Sequence, residues 1–207
     1  MTFPRRRRAA VGALAGSAIV LTGCTVPGQD GAASSAIEYD STTISNERVS
    51  ELYDAWTQEG HVNITRRGVI TLEVMREPML ENVDALGIGY SRDFVEGLGE
   101  ELKATEGVEG APSEDLIDGL EAAYLLGAFA LLDQTGEQLS TMAADLTENS
   151  VSSPRTGDFS EPELVNTLNL VAPAATNRLN SGDRLWLTEF TGVNAFVEPD
   201  EDWIASE

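Results

Sequence analysis

Ala122-Ala123-Tyr124-Leu125-Leu126-Gly127-Ala128-Phe129-Ala130-Leu131-Leu132 carries no charge, in a chain of 207 residues with 35 acidic and 13 basic side chains. A helix with no polar stripe has to be buried on every side. As a helix these residues would reach ~17 Å at 1.5 Å per residue, well short of the ~30 Å hydrocarbon core of a bilayer. They also follow closely on Asp118 and Glu121. The stretch therefore reads as the central core helix of a helical domain, and a membrane span is the weaker reading. Pro112-Ser113 opens this helix, which runs from Glu114 to about Asp133.

On the N-terminal side, three more helices follow from apolar spacing and capping residues. Ser45 caps a helix over residues 46–59, where Val49, Leu52, Tyr53 and Trp56 recur at helical intervals and Gly60 ends the run. Thr65 caps the next, with Val69, Ile70, Leu72, Val74, Met75, Met79, Leu80, Val83 and Leu86, and with Gly87 as its stop. An interior proline loses a backbone hydrogen bond, so Pro78 is expected to kink this helix. Ser91 caps a third, with Phe94, Val95, Leu98 and Leu102 on one face. On the C-terminal side, Thr135 and Gln138 form a possible capping box before Leu139, Met142, Ala143 and Leu146. Ser160 and Glu163 offer a similar start before Leu164, Val165 and Leu168, although this segment also reads as strand. Ile37 and Tyr39 before Asp40-Ser41 predict a short strand and turn. Leu185–Phe190 and Ala195–Val197 around Gly192 predict a hairpin. The expectation is a mainly α fold of about five helices, with a small β element of short strands near the start and end of the body.

The first residues have a different character. Arg5, Arg6, Arg7 and Arg8 precede an apolar or small stretch from Ala9 to Leu21, and then comes Leu21-Thr22-Gly23-Cys24. A basic start, an apolar run and small residues at the cut describe a secretory signal over residues 1–23. The motif resembles a bacterial lipobox, which implies that Cys24 is lipidated and becomes the N-terminus. The four arginines leave twin-arginine export open beside the general route. Residues 24–35 then form a lipidated flexible tether rich in Gly, Ser and Ala, and residues 36–207 a single domain without repeats or linkers. Loss of the signal leaves nine basic against 35 acidic side chains, a net charge of −26. Such a body is repelled by an anionic lipid surface, so the lipid has to hold it at the outer face of the cell membrane.

Several elements resemble the N-terminal chaperone domain of SurA-type proteins. Ala36-Ile37-Glu38-Tyr39-Asp40, followed by Ile44-Ser45 and an amphipathic helix, is similar to the opening of that domain. So is the helix with Met79-Leu80 that ends at Leu86-Gly87-Ile88 before Ser91-Arg92-Asp93-Phe94-Val95. Val151-Ser152-Ser153-Pro154-Arg155-Thr156-Gly157-Asp158-Phe159 is similar to a Val-x-Pro-Arg-x-Gly stretch of small actinobacterial lipoproteins of that type. Asp40-Ser41 stands where Asp-Gly is usual, and Val151 lies one residue further from the proline. The resemblance covers residues 36–159; residues 160–207 form a C-terminal extension outside it. It implies a chaperone-like role, binding unfolded or secreted polypeptides; exposed Met75, Met79 and Tyr90 in a helical cradle would be its physical basis, although such residues are more often ordinary core. SurA-type proteins often add a parvulin prolyl isomerase domain, but no stretch is left over to house one.

Composition and motifs narrow the chemistry further. A net charge of −22 for the whole chain speaks against nucleic acid as a partner. One cysteine and one histidine exclude an internal disulfide and Cys₄ or Cys₂His₂ zinc sites. His61 reads as a solvated or capping residue in a turn. There is no Gly-x-Ser-x-Gly elbow, and Lys103 is the sole lysine, so Ser-x-x-Lys is absent. Gly87-Ile88-Gly89 reads as a helix stop, since it lacks the third glycine of a phosphate loop. Glu198-Pro199-Asp200-Glu201-Asp202 and the Glu114, Asp115, Asp118 group offer hard oxygen ligands for calcium. Without an Asp-x-Asp-x-Asn-Gly loop they read as solvated acidic surface. The expectation is a non-enzyme without catalytic, cofactor or metal residues, whose assigned site is the lipidation residue Cys24. The partner is a polypeptide client in one reading. In the other, the acidic surface docks one dedicated envelope protein. Substituting Cys24→Ser is expected to move the protein from the membrane to the soluble fraction on cell fractionation; continued membrane retention would sink the lipid anchor.

Overall fold

The computed structural model describes residues 34–133 and 135–197. The signal, Cys24, most of the tether and the acidic run Glu198–Asp202 lie outside the described residues. The fold is mainly helical, with a small antiparallel sheet. In chain order the elements are β1 (Ser35–Tyr39), β2 (Thr42–Ser45), α1 (Asn46–Asp54), α2 (Arg66–Asn82), α3 (Arg92–Glu106), α4 (Glu114–Leu132), α5 (Glu137–Asn149), β3 (Ser150–Ser152) and α6 (Glu161–Asn180). A π-helical turn, Ala55–Glu59, prolongs α1, and a 3₁₀ turn, Val83–Leu86, prolongs α2. A longer 3₁₀ segment, Arg184–Gly192, follows α6.

Local chemistry sets most of the helix starts. The hydroxyls of Ser45, Thr65, Ser91, Ser113 and Ser160 each accept the N–H three residues on, satisfying a donor that a helix N-terminus otherwise leaves free. The segment after Ser160, which could be read either way from its sequence, is thus a sixth helix. Gly87 and Gly107 end their elements in the left-handed region, at φ of 63° and 71°. The helix continues through Pro78, whose carbonyl accepts from the side chain of Asn82 at 2.8 Å.

Helix α4 is the centre of the bundle. Leu116, Leu120, Ala123, Leu125, Leu126 and Phe129 are fully buried, and the helix reaches solvent mainly at its two ends, through Glu114 in the first turn and Leu132, 53% exposed, in the last. Two glycines allow large rings to lie directly on it. A Cβ on Gly119 would stand 2.5 Å from the Trp56 indole nitrogen, and one on Gly127 would stand 2.5 Å from the Trp186 ring and 2.8 Å from Phe190. These approaches bring α1 and the 3₁₀ segment against opposite ends of α4. The three-stranded sheet, in the order β2-β1-β3, closes one side, with Ile37 opposite Ile44 and Glu38 opposite Val151. The turn after β3 is tied down from within: Ser153 N–H and Thr156 Oγ1 both donate to the Ala36 carbonyl, at 3.0 and 3.1 Å.

Two expectations are corrected. Residues 185–197 form no hairpin; Asp183 accepts the Leu185 N–H and starts the 3₁₀ segment, whose Leu187 and Phe190 are fully buried at a spacing of three. Arg178 holds this segment through Asp183 (2.7 Å), Thr188 (2.8 Å) and Glu189 (2.8 Å). Phe196 makes a single bridge to Phe159, so the strands lie near the start of the body and at residues 150–152. The Thr135–Gln138 capping box is also absent. Asp133 performs that role, its Oδ2 accepting from the N–H groups of Gln138 (2.8 Å) and Leu139 (3.2 Å), while Gly136 takes a left-handed φ of 68°. Met75 and Met79 are fully buried, as ordinary core residues, and line no exposed cradle.

Gly127→Ala is expected to lower stability by about 1–3 kcal/mol through overpacking, despite alanine's better helix propensity. Urea unfolding checks this, as a lower midpoint at an unchanged slope; an unaltered or higher midpoint would show that the rings are free to move.

Candidate functional site

The most concentrated chemistry lies where α1, α2 and α3 meet the first half of α4. Glu114, Asp118 and Glu121 recur at intervals of four and three, so they form one stripe along a helix, with Asp115 beside it. Three arginines, one from each neighbouring helix, converge on this stripe. Arg48 reaches Asp118 at 2.6 Å and Glu73 at 3.4 Å, and is hydrogen-bonded to Asp115. Arg76 reaches Glu121 at 2.8 Å and Glu73 at 3.3 Å. Arg92 reaches Asp118 and Glu114, each at 2.8 Å. Tyr90 donates its hydroxyl to Glu121, whose side chain is only 4% exposed.

The electrostatics follow from this crowding. Burial works to lower the pKa values of Arg48, Arg76 and Arg92, but the facing carboxylates outweigh it and hold them above the ordinary value. Burial and the hydrogen bond to Glu121 push the Tyr90 phenol up to about 12. Every arginine here has two or more acidic partners, so the cluster is a self-satisfied clamp rather than a cradle for an anion. The Glu114, Asp115 and Asp118 group, read from sequence as solvated surface, is in fact committed to arginines. Among the described residues, no group of three or more His, Cys, Asp or Glu side chains is arranged to hold a metal ion.

The other residues singled out from sequence are scattered. His61 lies between α1 and α2 at φ 49°, with its Nδ1 3.7 Å from Glu106. Lys103 is buried, bonded to Glu59 at 3.2 Å and to the Ala111 carbonyl at 3.1 Å. Burial opposes ionisation of Glu59, yet its contacts with Ser113 and Lys103 hold its carboxyl below the ordinary range. The Val151–Phe159 stretch supplies β3 and the turn that anchors the sheet, with Phe159 packed edge-on against Phe196. No helix among the described residues is long and apolar enough to cross a membrane.

A second feature has a different character. Between the C-terminal end of α4 and the α5–α6 pair lies an open groove of about 360 Å³, with Phe129, Leu139, Val165, Leu168 and Ala172 on its walls and Asp133 at its edge. Such a volume falls at the lower end of ligand-sized pockets, which run to ~300–1,000 Å³. Burial works against the charge of Asp133, but the Leu139 and Gln138 N–H groups and the Thr135 hydroxyl keep its carboxyl below the usual range. The groove wall is therefore mixed, its apolar side chains interleaved with Thr135, Ser140 and Asn169, and Asp133 gives its edge a negative charge. Sequence reading missed the groove because its lining comes from three helices; the uncharged run Leu164–Asn177 was its one visible trace.

No protein-family model, curated protein or solved structure matches the chain.

The clamp makes Arg76 a sensitive position. Arg76→Leu leaves the nearly buried Glu121 without its closest cation and is expected to cost about 3–5 kcal/mol, as for other broken buried pairs. The double variant Arg76→Leu/Glu121→Leu should recover much of that loss in urea unfolding. Equal losses in the single and double variants would mean that the pair itself carries little.

Proposed function

We propose that this chain is a membrane-anchored, non-catalytic lipoprotein that binds polypeptide in the cell envelope, in a chaperone-like role. Lipid on Cys24 holds it at the outer face of the membrane, and the helical body faces away from the anionic lipid surface. The observation that carries the binding reading is the open apolar groove between α4, α5 and α6, in a chain whose charge is otherwise strongly negative. The lipobox residues Leu21–Cys24 support the anchor, and the resemblance of residues 36–159 to SurA-type N-terminal domains supports the chaperone-like role.

The burial of Met75 and Met79 favours a second reading in which the protein docks one dedicated envelope protein. A broad client surface needs exposed, adaptable apolar side chains, and those two methionines are core. A groove of about 360 Å³ accommodates a few side chains at a time.

A soluble version beginning after Cys24 distinguishes the two. In the chaperone-like reading it suppresses light scattering from several unrelated unfolded secreted proteins. Failure with every client, together with capture of a single partner from envelope extract, would eliminate that reading in favour of dedicated docking.

A further inference from the structure

We propose that the groove between α4, α5 and α6 binds a short cationic amphipathic segment of a second polypeptide, its apolar side chains in the groove and its Lys or Arg side chains on the acidic rim. This rests on the polypeptide-binding reading above and adds the place and the chemistry of the bound segment.

The apolar half of this specificity comes from the walls. Phe129, Leu139 and Leu168 form the floor, and Val165, 37% exposed, and Ala172 form the open side. The same face of α6 continues two turns beyond Ala172 to Leu179, which is 44% exposed. Leu132, 53% exposed, ends α4 three residues after Phe129. Exposed apolar side chains therefore stand on both helices that border the groove, a form of surface that receives side chains at helical spacing.

The cationic half comes from the charges around it. Asp133 lies on the groove wall, and the helices that form its sides, α5 and α6, carry Glu137, Asp145, Glu148, Glu161 and Glu163, with no base before the end of α6. The next cation along α6, Arg178, is already committed to Asp183 and Glu189. Asp133 stays ionised at the groove edge because backbone N–H groups hold its charge. An acidic apolar segment thus gains contact area but meets like charge, a neutral one gains contact area alone, and a basic one gains both terms. The acidic field also speeds the encounter with cations, an effect that salt screens.

The test uses the soluble chain and two fluorescent synthetic peptides with the same helical apolar residues, one flanked by lysines and one by glutamates. The lysine peptide is expected to bind at least about tenfold more tightly by anisotropy, with affinity falling as salt rises. Ala172→Trp, which fills the groove, and Val165→Gln, at a position already exposed, should each weaken it by about tenfold or more. Ala174→Trp, on another face of α6, should not. Unchanged circular dichroism and melting confirm that a variant is folded, and Val165→Gln stands in if the tryptophan variant is not. Equal binding of the two peptides would overturn the charge preference. Salt-sensitive binding that ignores both groove variants would place the cation on acidic surface elsewhere and overturn the groove. If neither peptide binds while the soluble chain still protects clients or captures an envelope partner, this proposal fails and polypeptide binding stands.

Discussion

The fold depends on one constraint: α4 is apolar all round over most of its length, so every face must be covered by another element. Gly119 and Gly127 decide how closely two of those elements approach. With no side chain at either position, the indole of Trp56 and the rings of Trp186 and Phe190 press onto the helix itself. Trp56 comes from the π-helical turn at the end of α1, and Trp186 and Phe190 from the 3₁₀ segment after α6. Residues from both ends of the described chain are thus fastened to one helix. The irregular turns on either side are the geometry needed to deliver those rings, since a π turn or a 3₁₀ turn re-aims side chains that a regular α-helix would direct elsewhere.

Around that apolar axis the charges are arranged by position along α4. Its first half presents Glu114, Asp115, Asp118 and Glu121, and these draw Arg48, Arg76 and Arg92 inward from three helices. Its second half has no charge to offer, and among the described residues no arginine is drawn there and no ion pair reaches the acids on α5 and α6. One helix therefore produces two kinds of surface, a satisfied ionic clamp at one end and an apolar groove with an anionic edge at the other. The clamp also consumes scarce cations. Of the nine basic residues in the described chain, Arg48, Arg76, Arg92, Lys103, Arg178 and Arg184 are each within 4.0 Å of a carboxylate.

What sequence reveals here follows from the range of the interactions. Five helix starts were legible because a capping hydroxyl and the N–H it satisfies are three residues apart. The central helix was legible because absence of charge is a local property. The 3₁₀ segment at 184–192 was not: Leu185, Trp186, Leu187 and Phe190 suit a strand in isolation, and contact with Gly127 together with the Arg178 tether selects another conformation. The start of α5 was missed for a related reason, since Asp133 reaches forward across a left-handed Gly136 that no capping-box pattern anticipates. The acidic stripe on α4 was visible at helical spacing, but its partners are separated in sequence by 28 and 16 residues and share no motif. The burial of Met75 and Met79 was likewise fixed by what packs on α2 rather than by α2 itself.

This division bears on function. A closed core with one apolar groove suits a different partner from a broad apolar cradle, although the same composition is compatible with both. In a chain this acidic, self-association through the groove brings two strongly negative bodies together, at an electrostatic cost that salt reduces but does not abolish. A neutral apolar partner escapes that repulsion but draws nothing from the field. A partner that is apolar on one face and basic on its flanks answers both features of the groove. The unequal charge of the chain, net −9 over residues 24–103 and −17 over residues 104–207, then has a structural counterpart: the half that keeps four of its six basic residues close to carboxylates stabilises the bundle, and the half with three presents the acidic rim.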